Sequence, residues 1–434
     1  MTFQYITLNK CVAALLLLAV AAVLMVLAQR RNWRPSLAVA IFTAVTLRLV
    51  MLALAYHVQP WDLTYDFQNV GYYTLHHHDP ILSTSVVRWS YLPVYDFVLA
   101  AAYWAHIHLG VSWLITARLP AIACDVGVTV LVGTVAGAVG GRKDLRRFQY
   151  ACNPLAILVS AVHSQVEPAC LLFSFAAFAL VLRAGGKISG RTAATAGLLL
   201  GLGIGTKTWP VLFGPALLLA LPSARRRWQF AAATAGTVGL LFVTMPLTVG
   251  TPVSKLGELA RIMTNYHPPI GTWGWAGVWA AIHPTKLSIT QDPLWLSVGS
   301  IGTKLSVAAA LLAIWWWRRA HPLDIATATT TTLLAFTPAF GTQYLLWQTP
   351  SRTAYPTRLS MTLQIVLGAY AAMFYLPMDM LTWAHWQFVN KLMMVVSLGV
   401  MALMIAALPW DRRVWRRPED GLPAPECIPD TAAA

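Results

Sequence analysis

The stretch from Thr64 to Pro80 reads TYDFQNVGYYTLHHHDP and holds two acids, a tyrosine pair and three consecutive histidines between two very apolar parts of the chain. Asp62, Asp66, Asp79 and Asp96 are the carboxylates of this region. A carboxylate walled by apolar helices has its basicity set by desolvation and by cationic neighbours, and as a general base it can take a proton from a hydroxyl group. Further on, AVHSQVEPA places His163, Gln165 and Glu167 in one short turn, side chains that can hydrogen-bond hydroxyls, orient a phosphate, or simply solvate a loop. In GIGTKTWP, Lys207 ends one apolar run and Pro210 starts the next, which makes either an anion site or an interfacial lysine. Arg118, just before Pro120, can hold a phosphate through both arms of its guanidinium or snorkel to an interface. Adjacent histidines point in different directions, and a helical metal pair needs i, i+4 spacing, so His76 to His78 predict no metal site. No cofactor is called for.

The elements that must position these residues follow from composition. The 434-residue chain is 57% hydrophobic and 11% charged, against about 25% charged in a soluble domain. Apolar runs near the bilayer-crossing length of about 20 residues recur throughout, which predicts an all-α, polytopic membrane protein with about eleven to thirteen spans. The net charge of +15 is gathered in clusters beside apolar runs, among them Arg142, Lys143, Arg146 and Arg147, and Arg225 to Arg227. That is the positive-inside pattern of topology, and it argues against a nucleic-acid partner. The five cysteines include no CxxC, so neither a disulfide framework nor a zinc site is indicated.

Set against the basic clusters, residues 8–29 form an extra first helix with its N-terminus outside, and 59–91 and 250–291 form extracytoplasmic loops. Leu92 to Gly110 is an interfacial or re-entrant helix, and one outward helix runs from about Phe148 to Ala161. HSQVEP, Lys207 and GTQYLLWQTP then share the outer face with the early loop. Residues 1–417 make one domain, and 418–434 a disordered cytoplasmic tail. Arg48 and Asp125 fall inside spans, where a charge costs at least about 2.5 kcal/mol. They are read as an ion pair between neighbouring helices, the alternative being a substrate or proton path.

The order of the pieces carries a resemblance. An acid followed by Phe, a short helix, a DP, then RWSYLP, RLPxxxxD, NPLAI, an HxQ turn, a K-x-x-P turn and QYLLW with a later Pro resembles the polytopic GT-C glycosyltransferases. It is most similar to the bacterial polyprenyl-phosphate-mannose-dependent mannosyltransferases, over about Asp66 to Pro350. The resemblance implies transfer of a hexose, mannose in first place, from a polyprenyl-phosphate donor to a lipid-linked or cell-envelope acceptor, on the extracytoplasmic face of the cell membrane and with inversion. It implies Asp66 as general base in preference to Asp62. Arg118, His163 and Lys207, with Arg88 in support, would hold the carrier phosphate, and Gln165, Glu167, Gln343 and Tyr344 would line the same cavity. Two departures stand out: His78 and Ile81 flank the DP where relatives often carry Gly and Tyr, and the aromatic-Pro-Pro run is reduced to Tyr91, Leu92 and Pro93. A transporter or lipid flippase, or a surface polysaccharide polymerase or ligase, is the alternative.

Overall fold

The structure, a computed structural model, describes residues 6–83, 89–264, 273–275, 293–339, 341–377 and 383–411. Among these the chain is helical with no strand. Apart from single turns, the helices are α1 (Leu8–Arg30), α2 (Leu37–Leu54), α3 (Phe67–Leu75), α4 (Val94–Leu109), α5 (Arg118–Ala138), α6 (Lys143–Ala151) and α7 (Pro154–Leu158). They continue with α8 (Glu167–Ala184), α9 (Gly190–Thr206), α10 (Gly214–Ala220), α11 (Ala224–Val243), α12 (Leu256–Thr264), α13 (Pro293–Trp317), α14 (Pro322–Phe336), α15 (Thr349–Ala354), α16 (Ser360–Tyr375) and α17 (Trp383–Ala406). Among the described residues, five stretches are long and apolar enough to cross a membrane: Leu8–Arg30, Leu37–Leu54, Trp113–Ala138, Glu167–Ala184 and Ser297–Trp317. Four shorter apolar stretches accompany them, including Pro154–His163 and Ser360–Tyr375. The all-α, polytopic membrane architecture is therefore as expected.

Polar residues inside the bundle are matched to one another. Arg48 on α2 meets Asp125 on α5 at 2.5 Å with both side chains fully enclosed, and it also donates to the carbonyls of Ala44 and Ala151. Tyr150 and Ser160 add hydroxyls to the same carboxylate. The two charges thus satisfy each other, as the structural reading of this pair predicts. Close helix contact uses small residues: a Cβ on Gly197 of α9 would collide with the Phe230 carbonyl of α11, and one on Gly201 would lie 2.6 Å from the Thr237 Cβ. Small residues four apart let helices approach in lipid, where the hydrophobic effect supplies no drive between them.

One expected helix is divided. The run from Phe148 to Ala161 is the end of α6, a break at Cys152, then α7 and a π-helical turn at Val159–His163. The cause is local: Asn153 caps α7 by accepting from the Ala156 N–H, and Pro154 stands in its first turn, a position that suits a ring without an N–H. The loop expected at 250–291 contains α12, whose Leu259 is buried. The expected tail at 418–434 lies outside the described residues.

Candidate active site

Two π-helical turns build the site. The first, Asp62–Asp66, follows α2 and runs directly into α3. It is held from below, because Trp113 donates its indole N–H to the Leu63 carbonyl at 2.8 Å and Thr64 bonds back to Pro60. The second, Val159–His163, ends on Ser164, which takes the left-handed conformation at φ 60° and ψ 38°. For a residue other than glycine that conformation costs on the order of 1–3 kcal/mol, strain of the kind that gathers at functional sites. Here the Ser164 hydroxyl, bonded to the Ala117 carbonyl at 2.8 Å, helps to hold it, and the Gln165 N–H closes back on the Val159 carbonyl. Ser160 donates to the Ala156 carbonyl one turn back at 2.7 Å, the kind of back-bond that loosens a helical ladder.

The two turns aim their polar residues at each other. Gln165 Nε2 lies 2.7 Å from Asp62 Oδ2 and 2.9 Å from His163 Nε2, and His163 Nε2 is 3.5 Å from the same carboxylate oxygen. On its far side, His163 Nδ1 is 2.9 Å from the Tyr375 hydroxyl at the end of α16. Burial works to raise the Asp62 pKa, but the bond and charge that His163 supplies when its ring is protonated, together with the Gln165 amide and the Lys207 charge, outweigh it and bring it down to about 2. The carboxylate is thus ionised at any working pH, with its side chain still 27% exposed.

Beside this group is a second one. Lys207, in extended conformation at the end of α9, reaches across to Glu167 in the first turn of α8 at 2.5 Å. A helix N-terminus favours that negative charge. Burial acts to lower the Lys207 pKa, and the Glu167 carboxylate overcomes it, so the ammonium stays charged. The Tyr344 and Tyr91 rings face its Nζ at 4.5 and 5.3 Å. Tyr344 stacks on Trp347, which stacks on Trp209 with centroids 4.4 Å apart and planes 7° apart. Both indole N–H groups are buried, and among the described residues neither has a hydrogen-bond partner. Tyr91 is set by Trp89, whose ring meets it at 4.9 Å and whose N–H is held by Asp96 at 3.1 Å.

Of the residues singled out in the sequence, the structure brings together His163, Gln165, Glu167, Lys207 and Tyr344. Gln343 is buried with its amide folded over Gly341, where a Cβ would collide with it. Arg118 is fully buried, and its guanidinium donates to the carbonyls of Val162, Tyr56, Leu114 and Val58. It satisfies irregular backbone on both sides of the site: the approach to Asp62 and the turn that carries His163. Asp66 closes the first π turn four residues after Asp62, is 6% exposed, and caps no helix N–H. Arg88 lies outside the described residues. Of the three histidines, His76 packs on Tyr72 and bonds its carbonyl, while His77 turns left-handed at φ 57°. Among the described residues no three His, Cys, Asp or Glu side chains gather as a metal group.

Sequence reasoning gave Asp62 second place and overlooked Tyr375, Trp209 and Trp347. The signal for the tryptophans was present, since both stand in the Lys207 and Tyr344 motifs. Tyr375 is a lone tyrosine ending an apolar helix, and no spacing marks it.

The helical bundle thus gathers an ionised carboxylate, a caged lysine and stacked aromatic rings at its helix ends. The model of glycosyltransferase family 87 matches residues 89–340, more than half of the chain, and the chain belongs to that family. It is therefore a membrane glycosyltransferase, acting on a sugar donor and an acceptor in the membrane. No curated protein matches it. The matched stretch contains Arg118, His163, Gln165, Glu167 and Lys207, while Asp62, Asp66 and Tyr375 lie outside it.

Proposed function

We propose that the chain transfers a hexose, mannose in first place, from a polyprenyl-phosphate carrier to a lipid-linked or cell-envelope acceptor at the extracytoplasmic face, with inversion at the anomeric carbon. The observation that carries this reading is the meeting of Asp62, from the early loop, with His163 and Gln165 about a hundred residues later, within the field of Lys207. The chemistry fits such a meeting. The carrier lipid stays in the bilayer while sugar and phosphate are polar, so the reacting carbon belongs at an interface. Departure of the phosphate needs its charge balanced, and Lys207, although paired with Glu167, is the cation whose field reaches Asp62. That electrostatic contribution is the larger one.

The base that takes the acceptor proton comes from the first π turn. Asp66 is the residue to which the resemblance points. The surroundings favour Asp62, which is ionised, partly accessible and set among the groups that would face the carrier phosphate. Arg118 serves the reaction at one remove, by fixing the backbone that presents Asp62 and His163. The transport alternative drew on Arg48 and Asp125 as a path, and those two residues are spent on each other.

The test is to supply membranes containing the chain with radiolabelled polyprenyl-phosphate mannose and to follow label into a new glycolipid or envelope product. Asp62→Asn should lower transfer by about 10² to 10⁴-fold, the usual contribution of a general base. Asp66→Asn should lower it far less. Loss in Asp66→Asn alone would return the base role to Asp66, and full transfer by both variants would overturn the mechanism.

A further inference from the structure

The hydrogen bonds around His163 determine which of its nitrogens carries the proton. Gln165 places one atom 2.7 Å from Asp62 Oδ2. Facing an ionised carboxylate, that atom has to be the amide NH2, because a carbonyl oxygen there would set two acceptors against each other. The same NH2 nitrogen is 2.9 Å from His163 Nε2. It has only hydrogens to offer, so Nε2 is bare and accepts. A neutral ring with Nε2 bare carries its proton on Nδ1. Nδ1 is 2.9 Å from the Tyr375 hydroxyl oxygen, which therefore accepts. Tyr375 comes 212 residues after His163 in the chain, is 1% exposed, and packs its ring 4.9 Å from the imidazole.

We propose that Tyr375 is a positioning residue of the transferase site: its hydroxyl keys His163 in the Nδ1–H tautomer, so that Nε2 accepts one Gln165 amide hydrogen while the other holds the Asp62 carboxylate. Without that hydroxyl the buried Nδ1–H has no acceptor, and the ring does better with its proton on Nε2. A donor then points at the Gln165 amide, two donors cannot share a 2.9 Å contact, and the amide has to swing away and release Asp62. The last residue of α16 thus reaches Asp62 through two intervening side chains. The inference rests on the reading of Asp62 as the reacting carboxylate only for its effect on rate; the tautomer stands on geometry alone.

The first arm of the experiment is nitrogen NMR on the full chain in lipid nanodiscs, with ¹⁵N-labelled imidazoles and the His163 signals assigned by their disappearance in His163→Gln. The expected result is a protonated Nδ1 and a bare Nε2 in the unaltered protein, with the ratio moving towards protonated Nε2 in Tyr375→Phe. A protonated Nε2 in the unaltered neutral ring overturns the proposal with no variant needed. So does an unchanged ratio in Tyr375→Phe. The second arm is kinetic: Tyr375→Phe should lower kcat about tenfold, the usual effect of one neutral hydrogen bond, with KM for the lipid donor unchanged. In a His163→Asn background the same change should have no further effect, and an equal factor in both backgrounds would overturn action through His163. Should the unaltered chain transfer no sugar at all, the proposed function fails while the NMR arm still decides the keying.

Discussion

The Glu167–Lys207 pair allows a prediction whose magnitudes differ between its two halves. Both side chains are enclosed, at 0% and 5% exposure. Removing one partner of a buried pair leaves the other charge uncompensated, at a cost of about 3–5 kcal/mol. In Glu167→Gln the ammonium remains, but the Tyr344 and Tyr91 rings at 4.5 and 5.3 Å still face it. Desolvated cation–π contacts are worth up to about 2 kcal/mol, so the net loss should be about 1–3 kcal/mol. Lys207→Met strands a carboxylate whose remaining compensation is the N-terminus of α8, about 0.3–1 kcal/mol, since among the described residues Glu167 Oε2 has no hydrogen-bond partner and Oε1 has only Lys207. That variant should bear most of the cost. The double variant, with a neutral amide packed beside a thioether, should return to within about 1 kcal/mol of the parent. The assay is equilibrium unfolding in detergent followed by tryptophan fluorescence, run on all four proteins as a thermodynamic cycle. Two results would refute the reasoning: Glu167→Gln costing more than Lys207→Met, or losses that simply add in the double variant.

Two further outcomes are expected. Asp62, held at about 2 in the fold against about 3.9 in an unfolded chain, contributes about 2–3 kcal/mol that is fully present above about pH 5 and is lost as the pH falls through 2. Unfolding midpoints measured against pH should therefore converge for the parent and Asp62→Asn over that window, and parallel curves would count against the depressed carboxylate. Gly250 stands at φ 74°, where a Cβ would collide with the His77 carbonyl oxygen, next to Thr251, which bonds Asp79. Gly250→Ala should cost at least about 1–2 kcal/mol from the left-handed conformation alone and should make the 250–255 loop easier to cleave with protease; unchanged stability would show that the contact relaxes freely.

Much of the architecture is legible in the sequence because it depends on hydropathy and on local stop and start signals. The apolar runs announce the spans, Asn153 and Pro154 carry a helix start that the expected single helix over 148–161 passes over, and the structure sets His163 beside Gln165 and Glu167 beside Lys207. What escapes is what depends on irregular backbone. A helical period of 3.6 residues assigns faces correctly only while the ladder is α, and both Asp62 and His163 sit in π turns, so the choice between Asp62 and Asp66 cannot be read from spacing. Arg118 is a case of the same kind. Beside a proline it suggests a phosphate ligand, but the irregular segments around Val58 and Val162 leave carbonyls that need a donor, and the guanidinium supplies it. Tyr375 acts through a contact spanning 212 residues, and no local pattern encodes such a partner.

The paired π turns have an evolutionary consequence. Each accommodates a residue that an ordinary ladder would not, so losing one amino acid from Asp62–Asp66 or Val159–His163 could restore regular hydrogen bonding with hardly any change in greasiness or length. Each residue of helix advances the chain by about 100°, so such a deletion would swing every side chain on one flank to a new bearing. The shortened descendant would still insert and fold, yet its acid and its imidazole would no longer look at one another. A one-residue deletion at either place is therefore expected to abolish transfer where a substitution beside it would only weaken it.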